Sequence, residues 1–241
     1  MIKALLAAVA AGLISTSAMA ASVTIYADDF DGNVTVYPGV AGAILGGVVA
    51  PANGSYAGSN GKSWAGNFRQ NNTTGNPAAP TLFTFNNLPA HTALSFDFML
   101  GFIDSWDSTN GSPSPDLLAF LIDGNPAAAL TTATASGNVS FYAGGTQIVD
   151  NGQIDMHVFF SDDLVDMATA GFLSFAHTAS SVTLMIVASG AGWQGGSDES
   201  WGVDSFRLTA VTPNGHIPEP ATVALLGLGL AGLAASRRRR Q

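Results

Sequence analysis

Leu94, Phe96, Phe98 and Leu100 take every second position of a run whose other members are Ser95, Asp97 and Met99. A two-residue apolar period belongs to a strand with one face on a core, because successive strand side chains point to opposite sides. The same period recurs at Val182, Leu184, Ile186 and Ala188, and again at Ile154, Met156, Val158 and Phe160. Leu117 to Ile122 is a continuous apolar run closed by Asp123-Gly124-Asn125-Pro126, a turn by composition. Thr24 to Tyr26, Val34 to Tyr37 and Val203 to Thr209 read as further strands. Val139 to Tyr142 and Thr146 to Val149, joined by Ala143-Gly144-Gly145, read as a hairpin. Gly39 to Pro80 is rich in Gly, Asn, Ser, Thr and Pro, and reads as loops with one short strand near Ser63 to Phe68. Asp162 to Ala170 is the one briefly helical stretch of this region. About nine or ten short strands predict an all-β domain, a single antiparallel β-sandwich.

Both ends of the chain differ from this pattern. Lys3, the apolar run Ala4 to Ile14 and the small-x-small triplet Ala18-Met19-Ala20 have the form of a secretory signal peptide. Cleavage after Ala20 is expected, so residues 1–20 are an N-terminal signal helix. At the other end, Thr212 to His216 is a linker, and Ile217-Pro218-Glu219-Pro220 leads into the apolar stretch Ala221 to Ala235. Ser236, the arginines Arg237, Arg238, Arg239 and Arg240, and Gln241 finish the chain. Fifteen helical residues reach about 22 Å, short of a hydrocarbon core of about 30 Å. The positive-inside rule puts the arginines at the cytoplasmic face. Gly227, Ala231 and Ala235 form a smooth stripe on which another helix can pack closely. Such a helix suits transient membrane retention followed by release; a permanent anchor is the alternative.

The 217–241 stretch resembles the PEP-CTERM sorting signal of Gram-negative bacteria, with Pro218, Glu219 and Pro220 as the motif, then the hydrophobic segment and the Arg cluster 237–240. The resemblance implies export, recognition by an exosortase as processing partner, and association with exopolysaccharide and biofilm at the cell surface or in the extracellular matrix.

The domain between the two ends, residues 22–211 with its linker, carries Lys62, Arg69 and Arg207 against sixteen acids, a net of −13. Such a balance repels phosphates, which excludes nucleic acid as a partner and suits cations and sugars. There is no cysteine, so disulfides, zinc–thiolate sites and cysteine nucleophiles are excluded. His91, His157, His177 and His216 lack metal-ligand spacing, and neither a nucleophile elbow nor a phosphate-cradling loop occurs. The expectation is a protein that is not an enzyme.

Two segments are similar to secreted jelly-roll domains of the carbohydrate-binding-module kind. They are Leu94 to Gly124, with its Ile-Asp-Ser-Trp-Asp loop, and Asp198 to Phe206 as a closing strand. The resemblance implies a jelly-roll-like sandwich with a structural calcium between an N-terminal acidic segment and an inward Asp of the last strand. Here those are Asp29 and Asp31 in the Asp28–Asp31 turn, and Asp204. Parity with Phe206 and Leu208 turns Asp204 inward, where a carboxylate needs a partner. Calcium is one resolution and capping of turn N–H groups is the other. Asp104, Asp107 and Asp116 frame a loop that reads either as a second cation loop or as acidic surface. Among Trp64, Trp106, Trp193 and Trp201, the loop residues Trp106 and Trp193 are the best placed to stack on a glycan. The alternative is that each plugs an end of the sandwich.

Overall fold

The computed structural model describes residues 21–109, 112–132, 142–157 and 160–213. The expected signal helix, the sorting tail with its apolar helix, and residues 139–141 of the expected hairpin lie outside them. Sixteen strands run through the described residues. They begin with β1 (Ala21–Asp28), β2 (Val34–Val36), β3 (Ala41–Leu45) and β4 (Val48–Pro51). Then come β5 (Tyr56–Ala57), β6 (Ser63–Trp64), β7 (Asn67–Asn71) and β8 (Thr81–Asn86). The middle of the chain forms β9 (Ala93–Asp104), β10 (Leu117–Ile122), β11 (Asn125–Leu130) and β12 (Thr146–Gly152). It ends with β13 (Asp162–Asp166), β14 (Ser174–Ala176), β15 (Ser181–Ser189) and β16 (Glu199–Thr212). Among the described residues the only helical pieces are three short 3₁₀ turns, and no helix is long and apolar enough to cross a membrane. The described part falls within one unit, Ser22–Pro213.

One sheet has nine strands, ordered β12-β13-β9-β16-β1-β2, with β14 also on β9 and the β4–β7 pair also on β16. The other has five, ordered β11-β10-β15-β8-β3, and β5 with β6 makes a small ribbon. The pairings are antiparallel, so the expected all-β antiparallel architecture is present. The first and last strands, β1 and β16, are neighbours.

The core lies between the sheets. Phe83 and Phe85 on β8, Phe96 and Phe98 on β9, Phe120 on β10, Leu184 and Ile186 on β15 and Phe206 on β16 are buried there. Phe83 and Phe206 stack with ring centres 4.4 Å apart. Burying an aliphatic or aromatic side chain of this size contributes roughly 1.5–3 kcal/mol.

The alternation on β9 holds only as far as Asp97. From Phe98 to Asp104 every residue is buried, because the outer face of the sheet is also covered. Trp64, Phe68, Ile154 and Leu164 pack there against Met99 and Ile103 as a second, smaller core. Gly101 and Gly202 face each other across β9 and β16 and form the floor of that core. A Cβ on Gly101 would lie 2.7 Å from both Trp64 and Ile154, and one on Gly202 would lie 2.4 Å from Phe68. The indole N–H of Trp64 donates to the Ile154 carbonyl at 2.8 Å.

Several expectations are corrected here. The 39–80 region is not mainly loop: it contributes β3 to β7, short pieces punctuated by glycine that cover the outer face and extend both sheet edges. Asp162 to Ala170 is a strand, β13, followed by a 3₁₀ turn, because pairing with β9 and β12 outweighs local propensity. Ile154 to His157 is a turn rather than a strand, with Ile154 in the second core and a single bridge from Asp155 to Ala52. Thr146–Gly152 pairs with β13.

Candidate functional site

Asp204 shows how the chain positions its carboxylates. Pairing between β16 and β9 runs Asp204 to Met99 and then Arg207 to Asp97, so two residues of β16 oppose one of β9. Ser205 carries the bulge at φ 49°. The bulge reverses side-chain parity. Asp204 therefore shares the outer face with Met99, whereas Val203, Phe206 and Leu208 all face the main core. The parity expectation for Asp204 is corrected in direction but not in burial, since the residue is 1% exposed. Its oxygens accept the backbone N–H groups of Ala65 and Ser205. Burial pushes its carboxyl up to about 7, against those hydrogen bonds, and the charges of Asp31 and Asp29 add to the rise.

Asp29 and Asp31 are thus near Asp204, yet each is held by its own loop. Asp29 accepts from Asp31 N, Asn33 N and Asn33 Nδ2, and Asp31 accepts from the backbone and side-chain nitrogens of Asn67. Among the described residues no three His, Asp or Glu side chains form a group able to hold a metal ion. These carboxylates cap loop N–H groups.

That use is general. Eight of the sixteen acids are buried: Asp104, Asp116, Asp155, Asp162, Asp163, Asp166, Glu199 and Asp204, against a single buried base, Lys62. Asp162 accepts from Asp104 N and Ile154 N; Asp163 accepts from Asn151 N and the hydroxyls of Thr132 and Tyr142. Much of the negative charge is interior, tying loops to the sheet.

Trp106 and Trp193 are 0% and 5% exposed, so neither presents a face to a sugar. Trp106 stands edge-on to Phe102 at 4.9 Å, its ring centre 5.4 Å from that of Trp193, and its N–H donates to the Ser200 carbonyl at 2.6 Å. Composition placed both in polar loops, but those loops fold over the sandwich end and the indoles plug it.

The cavity with the strongest cluster of titratable groups lies elsewhere, where the end of β9 meets the 153–157 turn, β4 and β7. It holds about 350 Å³ and is lined by Ala50, Pro51, Phe68, Gln70, Asn72, Asp104, Asp155, Met156, His157, Gly196 and Ser197. Asp104 ends β9 in the left-handed region at φ 68°, and its N–H is fixed by Asp162 at 2.9 Å. Its carboxylate meets His157 Nδ1 at 3.2 and 3.3 Å, with the imidazole side chain 41% exposed. Burial raises the Asp104 carboxyl, which His157 opposes and the charge of Asp162 reinforces. Burial likewise pushes Asp155 up to about 6, with the charge of Asp104 adding to it. Asp162 is also raised to about 6 by burial, with the charge of Asp155 adding to it. Met156 is 65% exposed at the rim. The cavity offers carboxylate acceptors, amide and hydroxyl partners and an apolar rim within a volume typical of small-ligand sites. The sequence gives no role to Asp155 and His157, and it groups Asp104 with Asp107 and Asp116 around a different loop. The signal was the Asp-x-His spacing, which a strand reading placed on one face.

Comparison with known proteins decides what the tail is. Residues 216–240 match the PEP-CTERM protein-sorting motif. The motif marks an exported protein sorted by an exosortase. Among curated proteins none matches the chain. Three solved structures of infectious bursal disease virus overlap loosely with it. The Gt strain structure is 18% identical over 77% of this chain, with a TM-score of 0.26. The VP2 subviral particle is 16% identical over 78%, with a TM-score of 0.23. The Gx strain structure is 17% identical over 82%, with a TM-score of 0.22. The chain spans 35%, 37% and 57% of those chains respectively.

Proposed function

We propose that the chain is an exported, non-enzymatic surface or matrix protein that associates with exopolysaccharide, with the Asp104–His157 cavity as its sugar-contacting site. The sorting motif at residues 216–240 carries this reading. Exosortase is the processing partner, and the apolar 221–235 stretch holds the protein at the membrane only until release. At the cavity, Asp104, Asp155, Asn72, Gln70 and Ser197 supply hydrogen-bond partners for hydroxyls, and Met156 supplies an apolar contact for a sugar face. A domain of net charge −13 favours a neutral polysaccharide over a polyuronate.

Affinity electrophoresis of the purified protein through gels cast with dextran, galactomannan or alginate tests this. The expectation is retardation in a neutral gel, reduced about tenfold in apparent affinity in Met156→Ala and His157→Ala. Migration unretarded in every gel, or retardation of both variants equal to that of the parent chain, contradicts it.

A second reading keeps a calcium-stabilised carbohydrate-binding module, with the ion between Asp29, Asp31 and Asp204. What favours it is that Asp204 lies close enough to the other two to feel their charge. A melting temperature unmoved by calcium or EDTA removes it.

A further inference from the structure

At one end of the sandwich, the loop after β9 meets the loop before β16, and four carboxylates gather there: Asp107, Asp116, Asp198 and Glu199. Asp116 and Glu199 are fully buried. Each commits one oxygen to loop backbone. Asp116 Oδ2 accepts from Asp107 N at 2.5 Å, and Glu199 Oε2 accepts from Gln194 N and Gly195 N at 2.6 and 3.1 Å. The other two oxygens, Asp116 Oδ1 and Glu199 Oε1, are buried and meet no donor.

Two unsatisfied anionic oxygens in one buried cluster are costly, since each forfeits its hydration without replacement. Burial pushes Asp116 up to about 7, and the charges of Glu199, Asp107 and Asp198 add to the rise. Burial raises Glu199 as well, and its charged neighbours are Asp198 and Asp107. The domain has no base to offer. Lys62 is held between Asp97 and Asp166, Arg69 donates to the Gly46 carbonyl, and Arg207 donates to the Asn60 carbonyl.

The backbone passes close beside Asp116. Gly192 is buried, and a Cβ on it would lie 2.5 Å from Asp116 Oδ1 and 3.2 Å from the Pro113 carbonyl oxygen. A carboxylate oxygen and a carbonyl oxygen thus both approach the Gly192 backbone closely, near one another. Oxygen ligands of mixed type, carboxylate and carbonyl, are what a hard divalent cation takes, six to eight of them at about 2.3–2.6 Å for calcium.

We propose that this loop end binds a calcium-type divalent cation through Asp116 Oδ1 and Glu199 Oε1, with loop carbonyl oxygens and water completing the shell. The ion ties the segment leading into β10 to the 190–199 loop and neutralises the four-acid cluster. Two carboxylates supply the side-chain ligands, in keeping with the absence of any three-residue His/Asp/Glu group among the described residues. The site is separate from Asp29, Asp31 and Asp204, and from the sugar-contacting cavity.

Terbium reads such a site directly, because Trp193 follows Gly192 in the chain and packs against Trp106, placing indole donors beside the bound ion. The full chain in detergent, stripped with EDTA and titrated with terbium near neutral pH, is expected to show saturable tryptophan-sensitised luminescence that calcium displaces. Asp116→Asn and Glu199→Gln are expected to weaken terbium binding by about tenfold or more, while Asp204→Asn leaves it unchanged. Thermal unfolding without ion guards against a folding artefact: both neutral variants relieve a buried charge and should melt no lower than the parent chain. No sensitised luminescence from the parent chain overturns the proposal. So does undiminished binding in both variants, or a loss confined to Asp204→Asn. No glycan is present, so the outcome is independent of the polysaccharide reading.

Discussion

Replacing Lys62 by methionine tests how a fold with eight buried acids stays folded. Lys62 is 2% exposed, and its Nζ sits 2.8 Å from Asp166 Oδ1 and in contact with Asp97 Oδ1. Burial alone would raise the Asp166 carboxyl. The Lys62 ammonium and the Ser59 hydrogen bonds outweigh that and hold it at about 2 instead of 3.8. A depression of that size is worth about 2 kcal/mol at neutral pH. The folded-state value lies below the unfolded one, so this stability is complete above about pH 4 and is lost as pH falls towards 2. In Lys62→Met the buried Asp166 and the half-buried Asp97 are left without a cation, a loss of about 3–5 kcal/mol. For a domain of this length 1 kcal/mol moves Tm by about 2–4 °C, so a fall of roughly 6–20 °C is expected. Circular dichroism melts at neutral pH check this, with Lys62→Met/Asp166→Asn recovering part of the loss. A fall of less than about 2 °C, or an acid limb between about pH 4 and 2 identical to that of the parent chain, refutes the reasoning.

The raised carboxyls act in the opposite direction. With Asp116 and Asp204 at about 7 and Asp155 and Asp162 at about 6, all above the ordinary 3.8, the folded state takes up protons before the unfolded chain does. Ion-free protein should therefore gain stability between about pH 8 and 5, by about 2–3 kcal/mol for each of the two highest groups. Urea midpoints that stay flat or fall over that range contradict this. Gly202→Ala places a Cβ 2.4 Å from the Phe68 ring and should cost about 1–3 kcal/mol in urea unfolding; no measurable change would mean the second core is loosely packed. Trp106→Ala removes an indole that is fully buried and should cost about 3–5 kcal/mol. Stability within about 1 kcal/mol of the parent chain would contradict its role as an end plug.

The β-class was legible because Leu94, Phe96 and Phe98, and likewise Val182, Leu184 and Ile186, each keep a two-residue period on a strand with one buried face. The period fails where both faces are covered. Met99 to Asp104 and Glu199 to Val203 look irregular because a second layer packs on the outer face, and that layer comes from the short, glycine-broken segments between residues 39 and 80 together with the turn at Ile154. Ser205 could not be read as a bulge, since a serine at φ 49° has no compositional signature. The proximity of Asp29 and Asp31 to Asp204 was legible from the rule that first and last strands pair. The cavity was not, because Asp104, Asp155 and His157 are brought together by loops whose lengths and turns the alternation does not encode. Trp106 and Trp193 misled because loop composition reports polarity, whereas burial depends on which way the loop folds.

The central claim is that this sandwich is delivered outside the cell by its tail. Cells producing the parent chain or Pro218→Ala/Glu219→Ala can be separated into inner-membrane, surface and matrix fractions, with the mass of the protein read in each. The parent chain is expected in the surface and matrix fractions, shortened at its C-terminus, and the variant in the inner membrane at its unshortened mass. The same mass and the same distribution for both chains would contradict the account.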